Sequence, residues 1–105
     1  MKTRILVIED EEKLRRVLEL HLRSTGYEAE TAGSAGEGWK LADRADLIVT
    51  DLRLPDFDGL EFISRLRRQN TRTPVIVITA YGTVETAVEA MRCGADDFIL
   101  KPFSL

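Results

Sequence analysis

The chain has 105 residues, enough for one domain and not two. It carries 15 Lys+Arg against 18 Asp+Glu for a formal net charge of −3, and 44% hydrophobic with 31% charged residues are globular proportions. No apolar run approaches the roughly 18–20 residues of a membrane span, the slightly acidic balance argues against a grip on nucleic-acid phosphates, and one cysteine supplies neither an internal disulfide nor a zinc framework.

The elements follow one another as short apolar runs and longer amphipathic stretches. Ile5-Leu6-Val7-Ile8 reads as a strand covered on both faces, as in a parallel sheet. Leu14, Val17, Leu18 and Leu22 fall on one face of a helix near residues 12–25, stopped by Gly26. Tyr27, Ala29 and Thr31 alternate with Glu28 and Glu30, which suits an edge strand with one wetter side. Ser34 and Glu37 have capping-box spacing and open a short helix whose inward face includes Ala35, Trp39 and Ala42. Leu47-Ile48-Val49 is a third strand, and Phe62, Ile63 and Leu66 mark a helix from near Gly59 to near Asn70. Val75-Ile76-Val77-Ile78 is a fourth strand. Val84, Ala87, Val88 and Met91 then recur at helical spacing, between Thr83 as N-cap and Gly94 as the residue that ends the helix. Phe98-Ile99-Leu100 is a shorter version of the buried strand pattern.

The order βαβαβαβαβ forces parallel strands joined by right-handed crossovers, an open α/β sheet with helices on both faces. No linker, repeat or low-complexity tract interrupts it, so residues 1–105 are expected to form one domain. A fifth helix is expected after the last strand, and Phe103-Ser104-Leu105 is too short to supply it. The chain is therefore expected to be a fragment ending before that helix, or to leave apolar surface on the first-helix side of the sheet uncovered. With only four apolar residues between Arg4 and Glu9 a signal peptide is not expected, and a reducing cytoplasm is the expected compartment.

Open α/β sheets bind ligands beyond the carboxyl ends of their strands. The first strand is followed by Glu9, Asp10, Glu11 and Glu12, the third by Asp51, the fourth run by Thr79 and the fifth by Lys101. Strand two ends in Ala32-Gly33 and offers nothing reactive. Each residue has a plain structural role available: acids at a helix start, an Asp in a turn, a Thr in a strand, a surface Lys. Their joint placement points further. Clustered carboxylates either raise their pKa values or bind a cation, and Mg2+ suits an oxygen-only set. Asp51 beside such an ion is a nucleophile toward a phosphoryl group, with Thr79 and Lys101 placed to hold its oxygens.

With these residues in view, the chain resembles the receiver domain of two-component response regulators. The resemblance rests on I-L-V-I-E-D-E (Ile5–Glu11), Val49-Thr50-Asp51-Leu52-Arg53-Leu54-Pro55 with Gly59, Val77-Ile78-Thr79-Ala80, and Lys101-Pro102-Phe103. Thr79–Gly82, Glu85–Met91 and Gly94–Phe98 look most like the nitrogen-regulation (NtrC-like) class. The resemblance implies a flavodoxin-like fold with strand order 2-1-3-4-5. It implies that Asp51 accepts a phosphoryl group from a sensor histidine kinase. It further implies that Asp10 and Asp51 ligate Mg2+ through carboxylates, Arg53 through its backbone carbonyl and Glu9 largely through water. Thr79 and Lys101 are implied to bind phosphoryl oxygens. Phe98 matches an aromatic switch position, where phenylalanine, lacking a hydroxyl, works through packing alone. Lys101-Pro102 matches a cis bond, and Arg53 and Tyr81 match positions that tune phosphoryl lifetime.

In that class the receiver precedes an AAA+ module and a DNA-binding module. The implied whole is a transcriptional switch that catalyses only its own phosphorylation and dephosphorylation, with a homodimer through helix four and strand five and no direct contact with nucleic acid or membrane. Two other readings share these features. A Mg2+-dependent aspartyl-phosphate phosphohydrolase commonly places an Asp-x-Asp nucleophile after strand one, where this chain has Glu9-Asp10-Glu11 and no cap domain. A pseudo-receiver that only binds a partner is opposed by the intact acids, Thr79 and Lys101. The Gly33, Gly36, Gly38 cluster has the wrong order for a dinucleotide loop. His21 and Cys93 read as ordinary helix residues, and Arg65, Arg67 and Arg68 as a solvated basic face.

Overall fold

A computed structural model describes residues 2–69, 72–80 and 82–102. The apolar runs form β1 (Arg4–Ile8), β3 (Leu47–Thr50), β4 (Val75–Thr79) and β5 (Asp97–Leu100), and the alternating run forms β2 (Glu28–Ala32). Between them lie α1 (Glu12–Ser24), α2 (Ala35–Leu41) followed by a 3-10 turn at Ala42–Arg44, α3 (Gly59–Gln69) and α4 (Val84–Cys93). All strand pairs are parallel and the order is β2-β1-β3-β4-β5, as the resemblance implied.

Strand alternation divides the core in two. Leu6, Ile8, Ile48, Val75 and Val77 face a layer built from α2, α3 and α4, where Phe62, Ile63, Leu66 and Ala90 are buried. Ile5 and Val7 face the other way, onto Leu18 of α1, with Leu14, Leu22, Leu47 and Val49 around them. The caps form as their residue types require. Ser34 Oγ accepts from Glu37 N at 3.2 Å, while the Glu37 carboxylate reaches back to Gly33 N at 3.3 Å. Thr83 Oγ1 accepts from Thr86 N at 3.0 Å, and Gly94 ends α4 in the left-handed region at φ 118°.

Some side chains sit otherwise than periodicity alone suggests. The apolar stripe on α4 is exposed: Val84 is 82% exposed, Val88 and Met91 are also exposed, and the helix seats itself through Ala90. Because a small residue makes that contact, the larger apolar side chains on the same helix turn outward. β5 is an edge strand covered on one side, so Ile99 and Leu100 are exposed. On α1, Val17 is likewise exposed, because the helix packs through Leu18. Finally, Arg67 does not belong to a solvated face. Its guanidinium donates to Thr73 O at 2.7 Å and Gly94 O at 2.9 Å and pairs with Asp96 at 2.9 Å. It thereby ties the end of α3 to the turns before β4 and β5, while Arg65 and Arg68 are exposed. His21 is exposed and Cys93 is a half-buried free thiol. No described helix is long and apolar enough to cross a membrane. Asn70 and Phe103–Leu105 lie outside the described residues.

Candidate functional site

Register decides what meets at the carboxyl edge of the sheet. Ile8 pairs with Thr50, so the next residues, Glu9 and Asp51, emerge side by side. Asp51 N donates to Ile8 O at 3.0 Å. Thr79 pairs with Leu100, and Lys101 N donates to Thr79 O at 2.9 Å, which sets Lys101 at the same edge. The Lys101-Pro102 bond is cis.

Asp51 is 4% exposed. Its Oδ1 accepts from Leu52 N at 2.6 Å and Arg53 N at 3.2 Å, because the chain turns at once after β3 and aims two amides back at the carboxylate. Its Oδ2 takes Lys101 Nζ at 2.8 Å. The same ammonium lies 2.6 Å from Glu9 Oε1, and Glu9 Oε2 accepts from Glu11 N at 3.1 Å. Asp10 is exposed at the mouth. One carboxylate oxygen from each of Glu9, Asp10 and Asp51 lies within 4.8 Å of the others. The Thr79 side chain is wholly buried at the end of β4.

The electrostatics follow from burial. Desolvation raises the Glu9 carboxyl above the ordinary glutamate range, against the opposing pull of the Lys101 hydrogen bond and charge. Burial also works against charge on Lys101, but its hydrogen bonds to Asp51 and Glu9 outweigh that and hold its pKa above the ordinary lysine value. Three carboxylates meet one ammonium, so the cluster keeps an excess of negative charge. Oxygen donors only, closely grouped and undercompensated, fit a hard divalent cation of the Mg2+ type.

The structure brings together Glu9, Asp10, Asp51 and Lys101, with Thr79 adjoining. Arg53 joins through its backbone N–H, its side chain being exposed. Phe98 stands back from the acids, half-buried opposite Val77 and against the core. Tyr81 lies outside the described residues. Two supporting residues carried no sequence signal of this role. Arg15, one turn into α1, donates to Glu9 O at 2.9 Å and pins the acidic loop. Asp56 accepts from Ala35 N and Gly36 N, both at 2.9 Å, tying the loop after β3 to the start of α2. Those amides hold its carboxyl below the usual aspartate range. Gly59, part of the motif after β3, is glycine for a steric reason. A Cβ there would lie 2.6 Å from Leu52 Cα and 2.7 Å from Asp51 O, inside the backbone that positions the Asp51 carboxylate.

Comparison with known proteins agrees with this geometry. The family described as "Response regulator receiver domain" matches residues 5–105. The chain is 44% identical over 104 residues to Regulatory protein AtoC of Escherichia coli (strain K12), an NtrC-like regulator, covering 97% of this chain and 23% of that protein. It is 38% identical over 106 residues to Transcriptional regulatory protein SrrA of Staphylococcus aureus (strain NCTC 8325 / PS 47), covering 99% of this chain and 44% of that protein. The chain thus spans less than half the length of either relative. A response regulator from Burkholderia pseudomallei, solved with a phosphorylated aspartic acid, calcium ion and citrate, superposes with a TM-score of 0.90 at 32% identity, covering 98% of this chain and 62% of that one. By fold, strand-end chemistry and sequence, the chain belongs to the response regulator receiver domain family.

Proposed function

We propose that Asp51 of this receiver domain is the phosphoacceptor of a two-component switch. An Asp51 carboxylate oxygen attacks the phosphorus of a phosphohistidine on a sensor histidine kinase. The new P–O bond forms as the P–N bond breaks, and the departing electron pair returns to the imidazole, which takes up a proton. The observation that carries this reading is the Asp51 carboxylate itself: buried, aimed by two backbone amides, and shared with Lys101. A metal-bearing relative phosphorylated on aspartic acid supports it.

Asp10 and Asp51 are the carboxylates that would hold Mg2+, with the Arg53 carbonyl, and Glu9 largely through water. When bound, the ion supplies positive charge against the oxygens of the transferring group. The chain's own residues do the rest. Lys101 stays protonated and moves its hydrogen bond from Asp51 to a phosphoryl oxygen, and the Thr79 hydroxyl donates to another.

The output follows from packing. Phosphorylation replaces the single negative charge of the Asp51 carboxylate with close to two, carried on phosphoryl oxygens at the sheet edge. Thr79 is drawn toward them, and Ala80 and the chain leading to Thr83 follow. That segment already leans on the switch position: a Cβ at Gly82 would lie 3.1 Å from Phe98 Cε1 and would overlap Leu100 Cδ2. Moving the loop therefore frees space for Phe98, and the exposed apolar face of α4 and β5 changes shape. That face is the homodimer surface, and the receiver drives AAA+ and DNA-binding output modules in a transcriptional activator. A full swing from 1:99 to 99:1 needs about 5.5 kcal/mol of differential interaction, the scale of a few charge-assisted hydrogen bonds. The test is incubation with acetyl phosphate and Mg2+, followed by intact mass spectrometry. One phosphoryl group is expected, dependent on Mg2+ and labile to hydroxylamine; an unchanged mass under these conditions overturns the reading.

A further inference from the structure

A second concave site lies away from the acids, between α2 and α3. Its volume is about 260 Å3, slightly below the roughly 300 Å3 at which drug-sized ligand pockets begin and suited to one bicyclic ring. The floor and wall are aromatic. The Trp39 and Phe62 rings meet edge to face at 5.6 Å, and Phe57 completes the lining from the loop after β3. Such rings present edges and faces that favour a further flat ring over an alkyl chain.

Charge is distributed unevenly around this apolar floor. Arg65 lies over the Phe57 ring at 4.9 Å, and its ion pair with Glu61 is loose, at 3.8 Å. Lys40 lines the cleft and is exposed, and it makes no hydrogen bond or ion pair among the described residues. The one acid at the rim, Asp56, is already engaged by the amides of Ala35 and Gly36. The cleft therefore offers two cations over aromatic walls, with its single negative charge offset.

We propose that this cleft binds a small planar aromatic anion, a ring carboxylate or its equivalent, with the ring against Trp39 and Phe57 and the acid group between Lys40 and Arg65. Phe57, against which the ring lies, sits with Asp56 on the loop that leads away from Asp51, so an occupied cleft grips that loop.

The chain has a single tryptophan, which makes the site directly observable. The experiment is a titration of the Mg2+-free chain with β-naphthoate and with its neutral counterpart β-naphthylmethanol, followed through the Trp39 indole N–H resonance. Naphthoate is expected to saturate the shift and to bind about five- to tenfold tighter than the alcohol, the scale of two partly exposed ion pairs. In Lys40→Gln/Arg65→Gln that preference is expected to fall to about twofold or less. If the double variant does not fold, Lys40→Gln alone, at an exposed residue, is expected to lose about half of the preference on a logarithmic scale. No saturable shift, equal affinity for acid and alcohol, or a preference that survives the substitutions overturns the proposal.

Discussion

Asp10→Asn separates the site's needs from the fold's. The Asp10 side chain is exposed and makes no hydrogen bond or ion pair among the described residues, so its removal breaks no contact. It does bring a charge to within 4.8 Å of both Glu9 and Asp51. At that separation each like-charge pair costs about 3.5 kcal/mol at an effective dielectric of 20. Exposure of Asp10 to water screens most of this, and a negative charge before α1 returns about 0.3–1 kcal/mol through the helix dipole. A net gain of roughly 1–2 kcal/mol is expected for Asp10→Asn in EDTA. That corresponds to a rise of about 4–8 °C in melting temperature for each kcal/mol. Mg2+ narrows the difference by about 1 kcal/mol. At ten times its dissociation constant it should stabilise the unsubstituted chain by about 1.4 kcal/mol. With affinity weakened tenfold by loss of one carboxylate, the same concentration gives about 0.4 kcal/mol. Thermal or urea unfolding of both proteins, with EDTA and with Mg2+, measures all four values. A variant less stable than the parent in EDTA, or one with the full Mg2+ response, refutes the view that these carboxylates are held together for an ion.

Other expectations follow from single contacts. Gly59→Ala forces a Cβ into the backbone of Leu52 and Asp51 and should cost about 2–4 kcal/mol in urea unfolding, with loss of Mg2+ stabilisation; a neutral result removes the steric reason for glycine. Arg67→Met strips three acceptors of a mostly buried guanidinium and should cost about 2–4 kcal/mol, whereas Arg68→Met should change stability by less than about 0.5 kcal/mol. Phe62→Ala empties the fully buried centre of the larger core and should cost about 3–5 kcal/mol. Because the folded-state pKa of Lys101 is raised, its contribution is fully present below the unfolded value near pH ~10.4 and is lost as pH rises through the folded value. Unfolding followed from pH ~9 to ~12 should therefore fall more steeply for the unsubstituted chain than for Lys101→Met, and parallel curves would contradict the ion pairs.

Much of this was legible from sequence, for identifiable reasons. Unbroken β-branched runs need cover on both faces, so Ile5–Ile8 and Val75–Ile78 could be placed inside a parallel sheet. Once strands are parallel, the residues after them share one edge, which is why Glu9, Asp51 and Lys101 could be grouped before any distance was known. The strand order itself came from the family resemblance; helical and strand periodicity are silent on which strands are neighbours. Periodicity left the role of α4's stripe open, since Val84, Val88 and Met91 repeat as a core face does, yet the helix docks through Ala90. The pattern records that an apolar stripe exists, not whether this chain covers it. Arg67 was misread because its acceptors are backbone carbonyls at Thr73 and Gly94, which have no side-chain signature. Arg15 and Asp56 escaped for the same reason: each bonds to main-chain atoms brought near only by the fold.

The central claim is that one carboxylate, Asp51, takes the phosphoryl group. Borohydride reduction of the chain after acetyl phosphate and Mg2+ converts an aspartyl phosphate to homoserine, and peptide sequencing by tandem mass spectrometry then locates it. The account predicts homoserine at position 51 and at no other aspartate, and none at all in Asp51→Asn. Homoserine at Asp10, or undiminished labelling of the Asp51→Asn variant, would contradict it.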